Sequence, residues 1–275
     1  MVDFYLSAGA TGLTVLGMMG EAQKLTIEES QLIVRRILAR VAGRAPVVVG
    51  VSAPGFAQMT ALTEMVMDDG AAGVMIAPPS SLRTDDQIVG YYHQAAGFIG
   101  EVPFVLQDFP LVTSVQMSVP VIRRIANDLP SCVCLKHEDW PGLDKIAALR
   151  ADGFLTRRIS ILCGNSQMFM PEEMGRGADG AMTGFAYPEM MVDVVRNMQV
   201  GEVDRAQDLF DAYLPLARYE QQPGIGLAVR KYIMARRGII ANAALRRPGG
   251  ALNAATVAEI ERLIQRQEKR LKDLN

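Results

Sequence analysis

Short apolar, β-rich runs recur along this chain, and the stretches between them have helical spacing. The runs cover residues 11–17, 46–51, 73–79, 103–109, 132–138, 159–165 and 180–185. A strand that is apolar almost throughout is buried on both faces, as happens in a parallel sheet covered by helices. The helical stretches are 26–41, 59–69, 84–98, 118–127 and 142–151. The first opens on Thr26-x-x-Glu29, a capping box, and carries Ile27, Leu32, Ile33, Ile37 and Leu38 at one-face spacing. Gly70, Gly100 and Gly153 stand just past helix ends, where a left-handed residue is wanted.

Strand–helix alternation predicts an α/β fold. Seven runs are one short of a (β/α)8 barrel. Residues 2–8 read as a helix feeding the first visible run. The expectation is therefore a TIM barrel over residues 1–202 that lacks its first strand, with the start either lying upstream or the fold tolerating a gap. An open Rossmann-type sheet is the competing arrangement, but no Gly-x-Gly-x-x-Gly follows any run. Residues 203–275 carry three helical patterns and no strand. They read as a C-terminal helical extension packed on the barrel or on a partner subunit.

Composition narrows the function. The 275 residues carry a net charge of −2, without a basic stripe for nucleic acid or a polybasic run for anionic lipid. No apolar run approaches the ~20 residues of a membrane span, and no signal peptide is visible. Cys132, Cys134 and Cys163 lie inside apolar runs, which fits buried thiols in a reducing compartment, so a cytoplasmic location is expected. Zinc at Cys132-x-Cys134 needs further ligands, and His93 and His137 are the only imidazoles. No metal is expected.

Of the six lysines, Lys136 alone ends an apolar strand, Cys-Val-Cys-Leu-Lys. Burial disfavours a charged amine, and a neutral amine is what attacks a ketone carbon. The plainer reading is a lysine whose stem is buried while its head reaches water. Period two puts Cys132, Cys134, Lys136 and Glu138 on one face and His137 on the other. Glu138 then stands beside the amine, as a simple ion-pair partner or as a proton carrier. Gly17-Met18-Met19-Gly20-Glu21 follows the first run, and its glycines let backbone N–H groups approach an anion. Pro78-Pro79, Gln107-Asp108-Phe109-Pro110 and Gly164-Asn165 close other runs and are candidate pocket walls or loop punctuation. Thr183, in the last run, is a further candidate contact.

In this order, Gly17-x-x-Gly20-Glu21, Leu25-Thr26-x-Glu28-Glu29, Pro78-Pro79, Asp108-x-Pro110, Lys136 and Gly177-Ala178-Asp179-Gly180 resemble the dihydrodipicolinate synthase and N-acetylneuraminate lyase family. A 231–238 helix before an Arg-Pro turn completes the set. The resemblance implies a (β/α)8 barrel with a helical extension, a homotetramer, and an imine between Lys136 and pyruvate or another 2-keto acid, with no cofactor. Two departures matter. The family's hydroxyl residues between the loop glycines are Met18 and Met19 here, which leaves backbone donors for the substrate carboxylate. The family's proton-relaying tyrosine is Gln107, whose amide does not titrate near neutral pH. Gln-Asp-x-Pro with Lys-x-Glu is similar to the sub-group that dehydrates 2-keto-3-deoxy sugar acids. That implies Lys136 and Glu138 as catalysts, with Gly17, Met18, Met19, Gly20, Gln107, Asp108, Gly164, Asn165 and Thr183 lining the substrate. An aldolase using pyruvate and a non-catalytic 2-keto acid binder are the alternatives.

Overall fold

The computed structural model describes residues 1–140 and 142–274. Each run forms a strand trimmed at its ends: β1 Leu13–Val15, β2 Val47–Gly50, β3 Gly73–Ile76, β4 Phe104–Asp108, β5 Cys132–His137, β6 Ser160–Cys163 and β7 Gly180–Ala181. They pair in parallel and in chain order from β1 to β7. The fold is thus α/β, with a seven-stranded parallel sheet whose strands follow chain order. The helices are α1 Val2–Ser7, α2 Ile27–Val41, α3 Phe56–Asp68, α4 Asp85–Ile99, α5 Pro110–Thr113, α6 Val119–Asp128, α7 Leu143–Arg150, α8 Met170–Gly175, α9 Pro188–Gln199, α10 Val203–Glu220, α11 Gly226–Arg236 and α12 Ala254–Leu274.

Two compact units partition the chain. Residues 11–165 and 172–182 hold the whole sheet and α2 to α7. One face of this sheet is a layer in which Met75, Val105 and Cys134 are buried and Val48, Leu162 and Met182 pack against them. The other face presents Val49, Val74, Leu106, Leu135 and Ile161, none of them exposed. Helix residues Val34, Val66, Ile88, Ile122 and Ile146 are equally inaccessible to water. Fully burying side chains of this size stabilises by roughly 1.5–3 kcal/mol each. The capping box of α2 forms as read, with Thr26 Oγ1 accepting from the Glu29 N–H and Glu29 from the Thr26 N–H. A second box, Thr84 with Gln87, opens α4.

Residues 1–10, 166–171 and 183–275 form the other unit, which contains α1 and α9 to α12. Its interior holds an ion pair between Glu220 and Arg230, 2% and 4% exposed. Burial pushes the Glu220 carboxyl up, and Arg230 opposes this. Gly184 makes room for the Arg230 guanidinium, since a Cβ there would strike Nη1. Arg237 lies over the Tyr187 ring at 4.1 Å and the Phe4 ring at 5.3 Å, which holds α1 against the chain near α9 and α11. The three cysteines are free and buried, and burial pushes the Cys132 and Cys134 thiols up to about 12. No described helix is long and apolar enough to cross a membrane.

Candidate active site

The C-terminal ends of β4, β5 and β6 bring a lysine, a glutamate and a glutamine together. Gln107 and Lys136 are directly paired in register, so their side chains leave the sheet on the same face. Below them on that face lie Val105 and Cys134, an apolar floor. Glu138 follows one pleat above Lys136. Its Oε1 sits 3.0 Å from Lys136 Nζ, with the two side chains 13% and 6% exposed. Gln107 Nε2 donates to the same Oε1 at 2.6 Å. The other oxygen, Oε2, accepts from the Asn165 backbone N–H at 3.2 Å.

Three donors on one nearly dry carboxylate fix its orientation, because each hydrogen bond to an ion is stronger than a neutral one. Gly164 completes the mould: a Cβ there would fall on the Glu138 Cγ, so a side chain at 164 and this glutamate rotamer exclude each other. Asn165 turns the chain in the left-handed region at φ 46°, which aims its N–H back at Glu138. Of the residues read from sequence as pocket walls, Gln107, Gly164 and Asn165 therefore converge on Glu138. The Lys136–Glu138 contact is an ion pair at a distance that a proton can cross. An ammonium that hands its proton to the carboxylate becomes a nucleophile, and the acid so formed can deliver that proton elsewhere.

Asp108 follows Gln107 and points to the opposite face. Its carboxylate is fully buried and lies 2.7 Å from Lys145 Nζ of α7. Burial raises its carboxyl above the ordinary aspartate range, and Lys145 opposes this. Gly17 leads into a 3-10 turn, Met18–Gly20, in which the Gly20 N–H bonds to the Gly17 carbonyl at 3.0 Å. Met19 is 39% exposed, and Gln23 Nε2 reaches the Met18 sulfur at 3.8 Å. Leu16 and Glu21 bracket this turn, both at φ 56°. A leucine held there is strained, and such strain gathers at ligand-binding loops. Thr183 belongs to the helical unit and is half-buried.

Two arrangements escaped the sequence reading. His137 is fully buried with Nδ1 3.0 Å from Glu173 Oε1. Lys145 bridges Asp108 and Asp139, 2.7 Å from each. The His137–Glu173 and Asp108–Lys145 pairs have no local signature, because their partners lie more than 35 positions apart and meet only in the fold. Among the described residues no group of three His, Cys, Asp or Glu side chains is arranged to hold a metal ion.

Several known proteins are similar to this chain in sequence or in fold. L-2-keto-3-deoxyarabonate dehydratase of Azospirillum brasilense is 29% identical over 96% of this chain and 86% of its own length. A crystal structure of dihydrodipicolinate synthase from Rhodopseudomonas palustris superimposes with a TM-score of 0.94 at 54% identity, covering 96% of this chain and 89% of that one. YagE, a prophage protein of the dihydrodipicolinic acid synthase family from E. coli K12, solved in complex with pyruvate, shares the fold at a TM-score of 0.86 and 21% identity, covering 97% of this chain and 90% of that one. The profile of the Dihydrodipicolinate synthetase family matches residues 1–267, and the chain belongs to that family of lyases.

Proposed function

We propose that the chain dehydrates a 2-keto-3-deoxy sugar acid through a Schiff base on Lys136, with Glu138 as the acid–base catalyst. The observation that carries this reading is the single carboxylate oxygen shared by Lys136 Nζ and Gln107 Nε2. An aldol cleavage needs a base that takes the proton from the C4 hydroxyl, a role that an amide at position 107 cannot fill. A dehydration needs only one acid–base group, and Glu138 is held beside the amine.

Lys136 Nζ adds to C2 and water leaves, giving an iminium. This electron sink acidifies C3, and Glu138 takes a C3 proton to leave an enamine. The enamine expels the C4 hydroxyl, and Glu138 returns the proton so that it departs as water. Hydrolysis of the conjugated iminium consumes one water and frees the lysine, so one water is lost overall. The substrate carboxylate is held by the backbone N–H groups of Met18 and Met19, since that of Gly20 bonds to the Gly17 carbonyl.

Borohydride reduction with pyruvate tests the first step. Wild type should gain the mass of a reduced adduct on Lys136, and Lys136→Ala should not. Glu138→Gln should keep the adduct but lose turnover by about 10²–10⁴-fold; full turnover in that variant sinks the acid–base assignment. Pyruvate-dependent aldol chemistry is the second reading, favoured by the name of the 54%-identical relative. Product analysis separates the two, since dehydration retains the carbon skeleton. A pure binder would trap no adduct. The unbridged cysteines fit a reducing compartment, so the proposal places the enzyme in the cytoplasm. Light scattering tests the homotetramer that the family resemblance implies.

A further inference from the structure

Behind Gln107 and Glu138, on the far face of the sheet, one ammonium ties together the residues that follow them. Asp108 comes directly after Gln107, and Asp139 directly after Glu138. Alternation along a strand turns Asp108 away from the Lys136 side. Lys145, in the first turn of α7, lies 2.7 Å from Asp108 Oδ2 and 2.7 Å from Asp139 Oδ2. Its side chain is 10% exposed, that of Asp108 is inaccessible, and that of Asp139 is 20% exposed. The backbone joins the same two strand ends, because the Glu138 N–H donates to the Asp108 carbonyl at 2.8 Å.

An exposed ion pair would mean little for either stability or position. This one is enclosed, and its location sets it apart from ordinary packing. Both anchored aspartates are chain neighbours of the residues whose side chains meet at the Glu138 carboxylate. A peptide unit is rigid, so fixing the side chain of one residue restricts the backbone from which its neighbour projects. Asp108 Oδ1 is buried without a hydrogen-bond partner, so Lys145 is the carboxylate's one bonded cation among the described residues.

We propose that Lys145 is a positioning residue: by holding Asp108 and Asp139 together it fixes Gln107 and Glu138 in the geometry at which the Glu138 carboxylate meets Lys136. This rests on the reading of Lys136 and Glu138 given above. Displacements of about 1 Å at a catalytic group can cost on the order of 10²-fold in rate without any lost contact to substrate.

The test uses the full chain with the charges removed in pairs. Lys145→Met alone strands a buried carboxylate and will depress folding, so Lys145→Met with Asp108→Asn is the informative variant. Three readings are taken on it: thermal unfolding, borohydride trapping with pyruvate, and kcat and KM for dehydration of a 2-keto-3-deoxy acid. The expected result is a Tm close to wild type, an intact adduct on Lys136, a kcat lower by on the order of 10²-fold and a KM within about threefold. Wild-type kcat in the folded double variant overturns the clamp and leaves the Schiff base standing. A wild type that traps no pyruvate overturns the Schiff-base reading, and the clamp falls with it. Should the double variant fail to fold, Asp139→Asn frees one end of the bridge at its most exposed point. It should retain the Tm and the adduct and lose about tenfold in kcat, and an unchanged kcat there refutes the proposal equally.

Discussion

Replacing Gly164 by alanine is the sharpest probe of the carboxylate's position. Gly164 is absent from the positive-φ residues, so alanine carries no backbone penalty of that kind and the effect is steric. The new methyl would lie 2.2 Å from Glu138 Cγ, 2.9 Å from Cδ and 3.0 Å from the His137 carbonyl oxygen. Ordinary van der Waals contact begins near 3.4 Å, so Cγ must retreat by about 1.2 Å. The Glu138–Lys136 contact, now 3.0 Å, cannot survive that retreat as a hydrogen bond if it is directed away from the amine. The overpacking itself costs about 1–3 kcal/mol of stability. The displaced acid–base group costs about 10²-fold in kcat, or about 2.7 kcal/mol of transition-state stabilisation. The assay is steady-state dehydration alongside borohydride trapping. Gly164→Ala should trap pyruvate on Lys136 and turn over slowly. A folded Gly164→Ala enzyme with turnover within threefold of wild type would refute the argument that this carboxylate's location sets the rate.

Other consequences are measurable. Arg230→Met leaves Glu220 buried without its cation and should destabilise by about 3–5 kcal/mol, while adding Glu220→Leu should recover most of the loss; urea unfolding of both variants decides it. The cysteine thiols are buried, and burial pushes Cys132 and Cys134 up to about 12, so alkylation in native buffer at pH 8 should be negligible and should reach three equivalents on unfolding. Burial holds the Asp108 carboxyl above its ordinary 3.8, against the pull of Lys145. A raised native value means the folded form binds this proton more tightly. Its stabilising contribution is therefore complete below 3.8 and is lost as pH rises through the raised value. Asp108→Asn should remove that slope, and an unchanged acid-side stability profile would contradict the assignment.

Much of the sheet was legible because parallel strands are apolar on both faces, which marks each run without help from its neighbours. The capping box at Thr26 fixed the start of α2 for the same local reason. Helix α9 was not anticipated, although Pro188 at its first turn and Met190 with Val194 on its buried side carry the pattern. The short α5 and α8 span too few residues for periodicity to register. At the site, period two put Lys136 and Glu138 on one face. It could not supply the register that sets Gln107 opposite Lys136, nor the fit of Gly164 beneath Glu138. Those depend on which strands become neighbours. The same holds for Lys145, which in sequence is one more charged residue on a helix and in space sits between two aspartates.

The stacking of Arg237 on Phe4 has a consequence for biosynthesis. Gly9 likewise abuts Val192, so α1 depends on residues that follow it by about 180 to 230 positions. Closing so long a loop is entropically slow to be rewarded, and at ~5–20 residues per second a ribosome needs about ten seconds or more to deliver the missing stretch. Meanwhile Phe4 and Tyr5 have no native surface to rest on. On an elongating ribosome, the sheet-bearing segment in between has time to organise before α1 can dock, so protection of these two rings should mark the completion of folding rather than its onset.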